Sequence, residues 1–170
     1  LKIKKVFLIR EFFVDPWQDD LGVGLTGSLI FAKHDGTAIA EKPGGGVILN
    51  ISSDLGLIAP DQRLYRQTNL PEKQQPVKPV TYSVIKSGIL GLTRYLSTYF
   101  SGKIRSNAIC PGGVYNNQNS EFVSRIESLI PLGRMAYRDE YQAAVAFMIS
   151  DASSYMTGAV VSVDGGRTTW

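Results

Sequence analysis

The sequence predicts an α/β protein in which a parallel sheet is covered by helices on both faces. Three observations predict it. Apolar runs at residues 47–53, 104–110 and 159–163 are short and nearly continuous, the pattern of strands buried on both faces. Between them lie stretches whose apolar residues recur at helical spacing, so strand and helix alternate along the chain. Each run also ends in Ser, Asp, or Pro and Gly, and in open α/β sheets the carboxyl ends of strands are where ligands bind.

Composition bounds the rest. At 170 residues, 44% hydrophobic and 19% charged, the chain suits one globular domain. Eighteen basic and 15 acidic residues leave a net charge of +3 with no concentrated basic stretch, which gives no sign of a nucleic-acid partner. A single cysteine, Cys110, and a single histidine, His34, argue against a disulfide framework and a dedicated zinc site, and they fit the reducing cytoplasm. The basic opening at residues 1–10 has too short an apolar run, and no small-residue cleavage site, to be a signal peptide. No apolar run approaches the ~18 residues that span a membrane.

In chain order, residues 5–14 mix Val, Phe, Leu and Ile with charges and are expected to form a strand. Pro16 is placed as the first residue of a helix, and Trp17, Leu21, Leu25, Leu29, Ala32 and Ile39 continue it to about residue 42. That stretch contains Gly22-Val23-Gly24-Leu25-Thr26-Gly27, formally G-x-G-x-x-G. A dinucleotide fingerprint needs a hydrophobic strand running into its first glycine, and here the polar residues 15–20 precede it. Close helix packing through small residues is the preferred reading. Gly44-Gly45-Gly46 then turn into the strand at 47–53, whose polar end is Ser52-Ser53.

Residues 57–80 hold four prolines, several Gln and the cations Arg63, Arg66, Lys73 and Lys78 without a clear period. A loop of this length is a lid, a binding loop or disordered, and Arg63 and Arg66 are candidates to meet an anionic substrate. The following helix carries Ile85, Ile89, Leu92 and Leu96 as a core stripe, with Gly88 and Gly91 off it, where another backbone is expected to pack. Residues 104–110 form the next strand, stopped by Pro111-Gly112-Gly113. Residues 114–133 read as polar, residues 140–148 as a short helix with Ala143, Ala144, Phe147 and Met148 inward, and residues 159–163 as the last strand.

Tyr82 and Lys86 stand out chemically. Four residues apart on a helix, they share one face roughly 6 Å apart along the axis. A nearby cation favours the phenolate, so the pair is a candidate acid/base couple, although spacing alone favours an exposed helical pair of no chemical role.

Taken together the motifs become specific. Asn50-Ile51-Ser52-Ser53-x-x-Gly56 at a strand end, Tyr82-x-x-x-Lys86 opening a helix, Arg105-x-Asn107-x-x-x-Pro111-Gly112 at the next strand end, then Thr157-Gly158 and Val163-Asp164-Gly165-Gly166, resemble the short-chain dehydrogenase/reductase family in its own order. The resemblance covers about residues 12–170. Within the family the chain is similar to oxidoreductases of bacterial flagellin modification and of sialic-acid-like (nonulosonate) sugar pathways, through residues 59–65, residues 111–116 and the ending Asp164-Gly165-Gly166-Arg167 with Trp170.

The resemblance implies a three-layer Rossmann-like fold, NAD or NADP as cofactor, and alcohol–carbonyl interconversion on a sugar-like small molecule by a homodimer or homotetramer. It implies Tyr82 as general acid/base, Lys86 lowering its pKa and holding the nicotinamide ribose, and Ser53 orienting the substrate oxygen. Pro111, Gly112, Gly113 and Val114 would line the nicotinamide, with Asn116 near the substrate. Two family features have no counterpart. Glycine stands at position 24 where the family has an asparagine, and the N-terminal βαβ half with its glycine-rich pyrophosphate loop is missing. The chain is therefore expected to be the C-terminal portion of the fold. The alternative reading is a truncated, non-catalytic subunit that serves oligomerisation.

Overall fold

The computed structural model describes residues 14–170. The strand expected over residues 5–14 lies outside the described residues, except that Val14 opens the first helix. Three parallel strands, β1 (Gly46–Ile51), β2 (Ile104–Pro111) and β3 (Val160–Val163), form a sheet in the order β1-β2-β3. Gly46 pairs with Ile104 and Ala108 with Val160, so β2 is the central strand, and Ala108, Ile109 and Cys110 on it are at most 1% exposed. The turn into β1 depends on Gly45 at φ +64, where a Cβ would fall 1.7 Å from the Lys103 carbonyl oxygen.

Residues 14–40 are one helical run with two π-helical interruptions. α1 (Val14–Leu21), α2 (Gly27–Phe31) and α3 (Thr37–Ala40) are separated by π segments at Gly22–Thr26 and Ala32–Gly36. Pro16 is thus the third helical residue, still in the turn whose N–H groups have no intrahelical acceptor. Each π segment adds a residue to a turn and rotates the downstream stripe. In consequence Ala32 and Gly36 are buried, while Leu29, expected inward, is 49% exposed. The glycine-rich stretch is helical, as its context required, and it brings helices close: a Cβ on Gly24 would lie 2.8 Å from Ile85.

α4 (Val80–Tyr99) covers one face of the sheet. Its expected stripe is inward at Ile89 and Leu96, which are 4% and 3% exposed. Leu96 and Phe100 pack with Ala32, Ile48 and Ile104; Leu90 packs with Ala108 and Cys110. Each such aliphatic side chain contributes roughly 1.5–3 kcal/mol of hydrophobic stabilisation. A Cβ on Gly88 would lie 3.0 Å from the Leu25 side chain, whereas one on Gly91 would face open space.

α5 (Ser120–Glu127) lies in the stretch expected to be merely polar. Asn119 caps it by accepting from Glu121 N at 2.8 Å, and Ile126 is its buried anchor, so a short helix with few apolar residues escaped the periodicity test. α6 (Gln142–Ile149) packs on the other face. Only Met148 of its predicted inward residues is buried; Ala143 and Phe147 are exposed, because an almost wholly apolar helix has no periodicity from which to read its inner face. The strand side chains facing α6 are tied down: Arg105 donates to Ser150 O and Ser153 Oγ, and Asn107 bonds Met156 O and Ala159 N. The Arg-x-Asn motif therefore fixes β2 to the approach to β3. Among the described residues no helix is long and apolar enough to cross a membrane.

Candidate active site

The site is built where β1 ends against the first turns of α4. Beyond Ile51 the chain enters a 3-10 turn, Asp54–Gly56, with Ser53 as its cap. Ser52 Oγ donates to the Lys86 carbonyl at 2.7 Å and Ser87 Oγ to the Gly56 carbonyl at 3.1 Å. These two bonds fasten the Ser53 turn to the helical turn that carries Tyr82 and Lys86. Ser53 is 5% exposed; its hydroxyl donates to Asp54 Oδ1 at 2.7 Å and accepts from Leu55 N at 3.2 Å.

Asp54 is buried, and its second carboxylate oxygen accepts from Arg167 Nη1 at 2.8 Å, with the two side chains only 6% and 5% exposed. Arg167 comes from the turn after β3, where Asp164 binds the N–H groups of Gly166 and Thr168 at 2.9 Å each. The chain's ending thus reaches the turn of Ser53. Sequence reading found both residues within motifs but gave neither a role, since the two ends of the bond are 113 positions apart.

Tyr82 is half-buried in the first turn of α4. Lys86 Nζ lies 5.8 Å from its ring centroid and donates to the Ile51 carbonyl at 3.0 Å. Burial pushes the Lys86 pKa below the ordinary lysine value, as loss of water disfavours the ammonium. A second lysine is closer. Lys78 Nζ sits 3.7 Å over the Tyr82 ring. Tyr65, across the site, is pushed up to about 12, first by burial and further by the negative charge of Asp54. Burial also raises the Cys110 thiol at the end of β2.

The other predicted residues lie around this centre at different distances from it. Gly112 N donates to Val163 O at 2.9 Å and Gly112 O accepts from the Tyr141 hydroxyl at 3.2 Å, so the Pro111–Val114 turn is fixed at the carboxyl end of β2. Arg63 is forked onto Asp61, and Arg66 makes a single bond to Glu72 at 2.6 Å. Asn116 is exposed and its N–H is held by Gln118.

Residues that could meet the nicotinamide end of a dinucleotide are present: Lys86, with ammonium hydrogens beyond the one on Ile51 O, and the Pro111–Val114 turn at the adjacent strand end. The groove of about 620 Å³ beside Lys86, lined by Asn50, Ile51, Gly24 and Ile85, runs along the edge of β1 that no other strand of the described residues covers. The pyrophosphate end has no matching cradle in Gly22–Gly27, whose backbone is helical and packed against Ile85.

A parallel α/β sheet with Ser, Tyr and Lys gathered at its carboxyl edge defines a class of dinucleotide-dependent folds. The family model described as enoyl-(acyl carrier protein) reductase matches residues 71–168, and the chain belongs to the short-chain dehydrogenase/reductase family. It is 30% identical to D-threitol dehydrogenase of Mycolicibacterium smegmatis, over 94% of this chain and 57% of that one. It is 32% identical to cis-4-hydroxycyclohexanecarboxylate dehydrogenase of Sinomonas cyclohexanicum, over 94% of this chain and 59% of that one. A short-chain dehydrogenase of Leptospira borgpetersenii solved with bound NAD+ superposes with a TM-score of 0.85 at 31% identity, over 97% of this chain and 61% of that one. The chain therefore spans about 60% of the length of the relatives it matches.

Proposed function

We propose that this chain is the catalytic portion of an NAD- or NADP-dependent oxidoreductase that interconverts a secondary alcohol and a carbonyl on a polyhydroxylated, sugar-like substrate. The observation that carries it is the fastening of the Ser53 turn to the helical turn bearing Tyr82 and Lys86 by the Ser52 and Ser87 hydrogen bonds. In this reading residues 1–170 belong to one partial domain, and residues 57–80 are its long substrate-side insert loop.

When bound, the dinucleotide supplies or removes hydride, and the chain's residues position carbon and move a proton. Tyr82 Oη takes the proton of the substrate hydroxyl in oxidation and returns it in reduction. Lys86 favours the ionised phenol by its charge and has ammonium hydrogens beyond the one on Ile51 O to offer a ribose hydroxyl. Ser53 turns its hydrogen from Asp54 to the substrate oxygen as charge develops there. Pro111, Gly112, Gly113 and Val114 would line the nicotinamide, and Asn116, Arg63 and Arg66 would stand on the substrate side. An asparagine at position 24, which the family has, would require the Ile85 side chain to shift, since its Cβ would lie 2.8 Å from it.

The polyol dehydrogenase among the relatives supports the sugar-like substrate, and the NAD+ complex among the solved structures supports the cofactor class. Assignment to flagellin or nonulosonate sugar chemistry rests on the residues that carry that resemblance. The free, buried Cys110 supports a cytoplasmic location.

In the natural full-length protein, Tyr82→Phe is expected to lower turnover by about 10²–10⁴-fold with dinucleotide affinity nearly unchanged in a fluorescence titration. Retained turnover would remove Tyr82 from its role, and absence of any NAD(H) or NADP(H) binding would end the cofactor assignment.

A second reading is favoured by the exposed apolar surface on two helices, Tyr95 and Tyr99 on α4 and Phe147 and Ile149 on α6. It makes the chain an oligomerisation subunit without turnover. A folded protein with no dinucleotide affinity that assembles with a full-length relative would support it. In the first reading a homodimer or homotetramer is the expected assembly.

A further inference from the structure

Lys78 is presented to the site by a braced loop rather than a loose one. Asp61 caps the 3-10 turn Gln62–Tyr65, and Leu64 anchors that turn at 3% exposure among Ile126, Ile130 and Met135. From the turn, Gln62 Oε1 accepts from Lys78 N at 2.8 Å and Gln62 Nε2 reaches Lys78 O at 3.5 Å. Both backbone polar groups of Lys78 are thereby held, and its side chain extends to 3.7 Å above the Tyr82 ring, nearer than Lys86 at 5.8 Å.

The charges around it are already matched to one another. Among the described residues Arg63, Arg66, Arg125, Arg134 and Arg167 each pair with a carboxylate. Asp54, the acid nearest in electrostatic influence, is engaged by Arg167, Ser53 and Leu55 N. Among the described residues Lys78 makes no ion pair, and its ammonium meets a ring face, which attracts a cation but accepts no strong hydrogen bond. Burial lowers its pKa from the ordinary lysine value, with Asp54 acting against that and Lys86 with it. A half-buried ammonium with hydrogen-bond donors to spare, beside the phenol of the site, suits an anionic group that has left water.

We propose that Lys78 is a specificity-determining residue that binds the anionic group of the substrate, so that the site takes a polyhydroxy acid in preference to the neutral polyol of the same carbon skeleton. Because Nζ lies over the ring whose hydroxyl serves the reacting carbinol, the carboxylate and that carbinol are near neighbours on a short chain. This rests on the oxidoreductase reading for its chemistry, but not for the binding itself.

The test compares aldonates with the alditols of the same carbon number, using the natural full-length protein. The wild type is expected to favour the aldonate in kcat/KM, and Lys78→Met to lower the aldonate-to-alditol ratio about ten- to a hundred-fold, the scale of one charge-assisted hydrogen bond, mainly through KM. Lys78→Arg keeps the charge and is expected to restore part of the ratio, which a variant that merely misfolds would not do. Calorimetric titration with the aldonate gives a readout independent of turnover, with binding weakened in Lys78→Met. A wild type that favours the alditol, or a ratio and an affinity that Lys78→Met leaves in place, overturns the proposal. Aldonate binding that depends on Lys78 in a protein without dinucleotide affinity would uphold this site while ending the oxidoreductase reading.

Discussion

Asp54 and Arg167 form an ion pair so little exposed that removing one partner strands the other charge in a region of poor solvation. Arg167→Met is accordingly expected to destabilise the fold by about 3–5 kcal/mol in urea unfolding, and Asp54→Leu added to it to recover part of that loss. Destabilisation below about 1 kcal/mol would place the pair in a wetter setting than its geometry indicates. Carboxylates also set the response to acid. Burial pushes the Asp164 carboxyl up, but its hydrogen bonds to Thr168, Gly166 and Ser162 together hold it below the ordinary value. The Arg134 guanidinium and then the Tyr137 N–H hold Glu140 at about 2. For groups whose folded pKa is depressed, the stabilisation is complete above the unfolded value and is lost as pH falls through the folded one. Urea midpoints are therefore expected to be level above about pH 5 and to fall between about pH 4 and 2, where a flat profile would contradict the Asp164 and Glu140 bonds. At this scale spacing and strand-end position marked Tyr82, Lys86 and Ser53 only as candidates, and their proposed roles came from the order of motifs that resembles the family. Lys78, Asp54 and Arg167 acquire roles only from their contacts.

At the scale of elements, helical periodicity predicted α4 well because its stripe faces one continuous core. It was less informative where geometry departs from 3.6 residues per turn or where a helix is apolar all round. The π segment at Gly22–Thr26 turned Leu29 outward, and α6 gave no period from which to choose between Phe147 and Met148. Gly24 lets the first helical run approach Ile85 of α4. Gly24→Val adds atoms against Ile85, which already stands 2.8 Å from the Cβ position, and is expected to cost about 1–3 kcal/mol in thermal or urea unfolding. If Gly24→Val instead left stability intact and abolished nucleotide binding, the glycine-rich stretch would be a ligand loop after all.

At the scale of the whole molecule, β1 pairs with β2 on one side, and among the described residues its other edge has no strand beside it. Ile51, at the end of that edge, is 51% exposed. An open edge with apolar side chains invites pairing between copies. The 170-residue chain by itself is expected to self-associate with rising concentration in light scattering, and Ile51→Lys to reduce this; a monodisperse monomer at high concentration would show the edge to be protected. The sequence by itself determined the alternation of strand and helix, the parallel sheet and the one-turn separation of Tyr82 from Lys86, because these depend on residues a few positions apart obeying a fixed period. Only the tertiary structure decided that Arg167 reaches Asp54, that Gln62 aims Lys78 at Tyr82, and that Lys86 donates to Ile51. Such contacts join residues up to 113 positions apart, and no local period records which distant groups packing will bring together.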